Sequence, residues 1–118
     1  MSLLTDIVVG FIAFQHLSFL VMEMFLWDKP LGLRVFGHTR ESAAMTKVLA
    51  ANQGLYNGFL AAGLFWGIIL GADGTGVKIF FLSCVVVAGL YGAATASRKI
   101  LIIQAVPGAI GLLLVIFS

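Results

Sequence analysis

The sequence predicts an all-α, polytopic membrane protein in which four transmembrane helices pack as a bundle within a single domain, residues 1–118. Three observations predict it. First, 61% of the 118 residues are hydrophobic and only 10% are charged, whereas a water-soluble domain carries about 25% charged residues. A chain this short buries only part of its surface when it folds in water, so lipid has to be the solvent for much of it. Second, four apolar stretches are each long enough to cross a hydrocarbon core of about 30 Å, which takes roughly 20 residues. Third, those stretches lack the period-two alternation of a membrane barrel.

The first span is expected over about residues 4–27. Met1 to Asp6 lacks the basic segment of a secretory signal, and the apolar run is too long and ends without a small-residue cleavage site. It is therefore expected to persist as a spanning helix, with Trp27 anchored at the interface. Asp28, Lys29, Pro30 and Gly32 end it. Residues 28–42 form the one long connection, a cytoplasmic loop mixing Leu31, Leu33, Val35 and Phe36 with Lys29, Arg34 and Arg40. It reads either as a brief amphipathic segment on the membrane surface or as a packed loop, with His38 exposed.

The second span covers about residues 43–70, with Thr39 as N-cap and Glu41 in the first turn. Asp73-Gly74-Thr75-Gly76 is a turn by composition. The third span covers about residues 77–96 and the fourth about 100–117. Lys29, Arg34, Arg40, Lys47, Arg98 and Lys99 flank the loops on one side, and only Lys78 lies with the termini. The positive-inside rule then puts loops 28–42 and 97–99 in the cytoplasm and both termini outside.

Gly54 and Gly58, and then Gly63, Gly67 and Gly71, recur at four-residue spacing, which lets helix backbones approach closely. They pack either the helices of one chain or a homo-oligomer. The lone Cys84 forms no internal disulfide and excludes a paired-cysteine oxidoreductase; it reads as a small packing hydrophobe. A net charge of +2, scattered along the chain, does not suggest nucleic-acid binding.

Polar residues inside the spans carry the functional reading. Gln15, His16 and Glu23 lie in the first span. His16 and Glu23 are seven residues apart, so they share a helix face to within about 20° and lie roughly 10 Å apart along the axis. The second span holds Asn52, Gln53, Tyr56 and Asn57, a polar arc built from two pairs at four-residue spacing. Tyr91 and Gln104 lie near the cytoplasmic ends of the third and fourth spans. Counted inward at about 1.5 Å per residue, these groups fall in the cytoplasmic half of the bilayer, beneath a largely aliphatic outer half.

This depth predicts a polar intramembrane pocket lined by His16, Glu23, Asn52, Gln53, Tyr56, Asn57, Tyr91 and Gln104. An intramembrane carboxylate is expensive and by default functional. The competing structural reading is that Asn52, Gln53 and Asn57 bridge helices, since an unsatisfied amide in lipid costs several kcal/mol. His16 and Glu23 are the candidate acid–base residues, should a reaction follow binding. No metal site and no cofactor are expected: the two are too far apart for a helical pair of metal ligands, and no glycine-rich phosphate loop follows a strand.

The block Ala51-Asn52-Gln53-Gly54-Leu55-Tyr56-Asn57-Gly58-Phe59-Leu60-Ala61-Ala62-Gly63-Leu64, preceded by His16, Glu23-Met24-Phe25-Leu26-Trp27 and Val35-Phe36-Gly37, resembles the signature of a small bacterial membrane family, domain of unknown function 1304. Gly89, Gly92, Ala93, Thr95 and Gln104-x-x-Pro107 complete the pattern across nearly the whole chain. The resemblance implies four spans in a bacterial inner membrane, and implies no reaction.

Three functions remain in competition. The first is binding, with or without transformation, of a small lipophilic molecule with a polar head. The second is proton-coupled export by an oligomer. The carboxylate in the first span superficially resembles the small multidrug resistance family, but Glu23 lies late in its span and the basic loop does not fit that pattern. The third is a non-catalytic helper of a larger membrane complex. The expected partners are the bilayer, a small lipophilic ligand and a second copy.

Overall fold

A computed structural model describes residues 2–118, and these are helical with no strand among them. The elements in order are α1 (Leu3–Met24), α2 (Pro30–Phe36), α3 (Arg40–Ile69), a 3₁₀ turn (Gly71–Gly74), α4 (Thr75–Thr95), a π-helical turn (Leu101–Ala105) and α5 (Val106–Ile116). The all-α class is as expected. Two compact units partition the chain: Met1–Ala13 with Ala62–Ser118, and Phe14–Ala61.

In the second unit, α1 stops at Met24 and the chain turns. Lys29, held extended by the following proline (φ −91°, ψ 162°), is the N-cap of α2, with Pro30 in its first turn, where a missing N–H costs nothing. The connection 28–42, read from the sequence as an amphipathic segment or a packed loop, therefore contains a short helix. Gly37 ends α2 in the left-handed region at φ 70°. Its N–H and that of His38 both reach the Leu33 carbonyl, closing a Schellman-type cap that no β-carbon favours. Gly32 is buried, and a side chain there would run into the Leu26 carbonyl. Thr39 caps α3 as expected, its Oγ1 accepting from the Ser42 N–H at 3.1 Å.

His38 is not simply exposed, as the sequence suggested. Its ring lies 4.2 Å from Trp27 and 5.7 Å from Phe36, centroid to centroid, and Trp27 lies 4.8 Å from Phe36. The Trp27 Nε1–H donates to Thr46 Oγ1 at 3.0 Å, and Lys47 pairs with Asp28 at 3.0 Å. These contacts fasten α2 and the first turns of α3 to the end of α1.

In the first unit, Val9, Ile12, Leu64, Leu82, Val85 and Val115 form the buried apolar core. Gly71 (φ 62°) ends α3 with open space around it; it is a turn residue and does not belong to the packing stripe in which the sequence placed it. The other spaced glycines pack within the chain. Gly54 faces Leu20, Glu23 and Met24, Gly58 faces Leu20, Gly63 faces Phe81 and Gly67 faces Lys78. Near the C-terminus the Val106 N–H bonds the Leu101 carbonyl, a five-residue step. The wider turn sits just before Pro107, whose ring clashes with an ordinary α-helical turn preceding it.

Two helices are long and apolar enough to cross a membrane, Leu3–Met24 and Gly71–Thr95, and Leu101–Ile116 is apolar but shorter. Helix α3 has the length, about 45 Å for its 30 residues. Asn52, Gln53 and Asn57 dilute its apolar character.

Candidate functional site

The candidate site is built where α1 and α3 meet in the second unit. Glu23 occupies the last turn of α1 and is buried. Leu20, Glu23 and Met24 present one side of that turn to Gly54 of α3, where even a β-carbon would come within 3.0 Å of the Glu23 Cβ. The missing side chain lets the helices close up. One turn further along α3, Asn57 then reaches the carboxylate: its Nδ2–H donates to Glu23 Oε1 at 2.5 Å. When the carboxyl is ionised this is a charge-assisted bond, stronger than a neutral pair. His16 is fully buried two turns earlier in α1, its ring edge-on to Phe19 at 5.2 Å.

The eight sequence-predicted residues occupy three environments. Glu23 and His16 are buried and Asn57 is half-buried, with Glu23 and Asn57 in direct contact. Asn52, Gln53 and Tyr56 lie on the exposed face of α3, Tyr56 with 61% of its surface open. Tyr91 and Gln104 belong to the first unit. Tyr91 is 72% exposed at the end of α4, whereas the Gln104 Nε2–H donates to the Val85 carbonyl at 3.2 Å. That amide crosses from the π-helical turn to α4, where Gly89 lets the Ala105 backbone come close.

Two surface grooves of about 560 Å³ lie elsewhere. One is walled by Thr5, Ile110, Leu113 and Phe117, the other by Phe80, Cys84, Val87 and Tyr91. Cys84 is half-buried in this apolar setting. Among the described residues no group of three or more His, Cys, Asp or Glu side chains could hold a metal.

Sequence reasoning missed one polar cluster. Lys78, read only as a topology marker, is completely buried and its Nζ lies 3.3 Å from Asp6 Oδ1. The signal was present: both residues lie in the first turn at the same end of their predicted spans, with opposite charge.

Residues 10–116 match a family described as protein of unknown function (DUF1304). The chain belongs to the DUF1304 family. This DUF1304 chain is 28% identical over 106 residues to the uncharacterized protein YpaA of Lactococcus lactis subsp. lactis (strain IL1403), covering 88% of this chain and 89% of that one. No solved structure matches it. The family resemblance read from the Asn-Gln-Gly-x-Tyr-Asn-Gly block is thus borne out, with Gly54 and Asn57 of that block in contact with the last turn of α1.

Proposed function

We propose that this DUF1304 protein spans a bacterial inner membrane four times and binds the polar head of a small lipophilic molecule at Glu23. The observation that carries the reading is the Glu23–Asn57 contact: a buried carboxyl, on an apolar helix, engaged among the described residues by one amide at one oxygen. An ionisable group inside a membrane helix is retained at a cost of a few kcal/mol, which a purely packing role does not require. In the ionised carboxylate the second oxygen is an acceptor, and the matching head then carries a donor such as a hydroxyl, an amide or an amine. A short hydrocarbon body suits the apolar side chains around α1.

Four spans are supported by the two long apolar helices, the apolar Leu101–Ile116 and the 30-residue length of α3. Cytoplasmic loops are supported by the six basic residues around them. The basic residue on the opposite side, Lys78, is buried against Asp6.

Native mass spectrometry of gently extracted protein, wild type against Glu23→Gln, tests the reading. A discrete bound mass present in wild type and lost in the variant is expected. Clean ligand-free protein in both would refute it, leaving Glu23–Asn57 as an interhelical tie.

A further inference from the structure

The amide-rich block of α3 divides by direction. Asn57 turns toward Glu23, while Asn52 and Gln53 stand on the exposed face. Leu49, Asn52, Gln53 and Tyr56 follow the spacing i, i+3, i+4, i+7, which places them on one side of the helix. All four are exposed, and the residues behind them, Ala50 and Gly54, are buried. Neither Asn52 nor Gln53 makes a side-chain hydrogen bond among the described residues.

Asn52 lies twelve residues into α3 from Arg40, about 18 Å along the axis. On the four-span reading, this is the middle of the hydrocarbon core. An amide left facing lipid there costs several kcal/mol, so something polar covers it.

We propose that the cover is the same face of a second copy of this chain, so that the protein is a two-fold dimer through α3. A primary amide carries both donors and an acceptor, so Asn52 and Gln53 complement themselves across a two-fold axis, where each patch meets its own duplicate. No charge opposes this. Beyond Lys47 the helix carries no charged residue, and Lys47 is paired with Asp28. The glycines that otherwise mediate helix association are already used within the chain, Gly54 and Gly58 against α1. The dimer is therefore held by amides flanked by Leu49 and Tyr56.

The proposal rests on the membrane reading, and cysteine crosslinking in native membranes separates the two. In a Cys84→Ser background, Leu49→Cys and Tyr56→Cys should each form a disulfide-linked dimer of twice the chain mass on mild oxidation. Val87→Cys, exposed on α4, should not. Adding Asn52→Leu and Gln53→Leu should weaken crosslinking by about tenfold, the effect of losing interhelical amide bonds in lipid. If the protein resists alkaline carbonate extraction but neither reporter yields a dimer, the dimer is refuted and the membrane reading stands. Crosslinks to a different protein, or a dimer indifferent to the leucine substitutions, would also refute it. Release by carbonate would refute the membrane reading itself.

Discussion

Lys78 and Asp6, 72 residues apart in the sequence, meet at 3.3 Å with the lysine side chain wholly buried. Asp6 keeps about a third of its side chain open, so one partner reaches the surface and the other does not. Gly67 makes room for the lysine stem, which passes where a β-carbon at that position would sit. Taking one member away is costlier than taking both, because an ammonium is left buried without its carboxylate.

Asp6→Asn should therefore destabilise the protein by about 1.5–3 kcal/mol, the range for hydrogen bonds to charged groups. Lys78→Met added to it should restore most of the loss. Thermal unfolding followed by circular dichroism measures both. An Asp6→Asn protein as stable as wild type would show that the pair contributes nothing.

The Glu23–Asn57 bond can be weighed by a double-mutant cycle with Glu23→Ala, Asn57→Ala and the combination. A coupling of about 1–2 kcal/mol is expected, the order of a single side-chain hydrogen bond. Strict additivity would mean that the contact does not hold the helices together.

Close approach at Gly89 gives a third prediction. A β-carbon there would lie 2.8 Å from the Ala105 nitrogen and 3.0 Å from its Cα, and backbone atoms cannot turn aside as a flexible side chain would. Gly89→Ala should cost about 1–3 kcal/mol. Gly76→Ala, with nothing within 4 Å of the added carbon, should be neutral or gain up to about 1 kcal/mol of helix propensity. Comparing the two unfolding midpoints checks both.

The Lys47 ammonium, hydrogen-bonded to Asp28 at 3.0 Å, holds that carboxyl below the usual aspartate range. A carboxyl whose pKa is lowered by folding stabilises the fold above its unfolded value of about 3.9 and loses that contribution as pH falls through the lower folded value. The wild type should thus exceed Asp28→Asn slightly in melting temperature at neutral pH, and the gap should close below about pH 4. Because the pair is exposed, high salt should shrink it too. A gap that widens in acid would reverse the assignment.

The local signals in the sequence were clear where a residue type has a single conformational use. Thr39 caps α3, and Asp73-Gly74 lies in the break between α3 and α4. Gly54 and Gly58 could be recognised as contact residues because only the smallest residues permit such approach, and both meet α1. The sequence left the α2 segment open between an amphipathic stretch and a packed loop, because seven residues give too few turns to establish a period. Its stability comes from the packing of Phe36, His38 and Trp27 instead.

The sequence by itself determined the helical class, the breaks between helices, the family, and which residues are polar amid apolar neighbours. Only the tertiary structure decided where those polar residues point. A helix that is apolar all round has almost no preferred face, so the sequence does not set its rotation. Asn52, Gln53 and Asn57 lie within six consecutive residues, yet the structure turns Asn57 onto Glu23 and leaves Asn52 and Gln53 outside. That rotation is set by the glycines that bring α3 against α1. The Lys78–Asp6 pair has the same origin, because an ion pair across 72 residues exists only once packing has brought its two helices together.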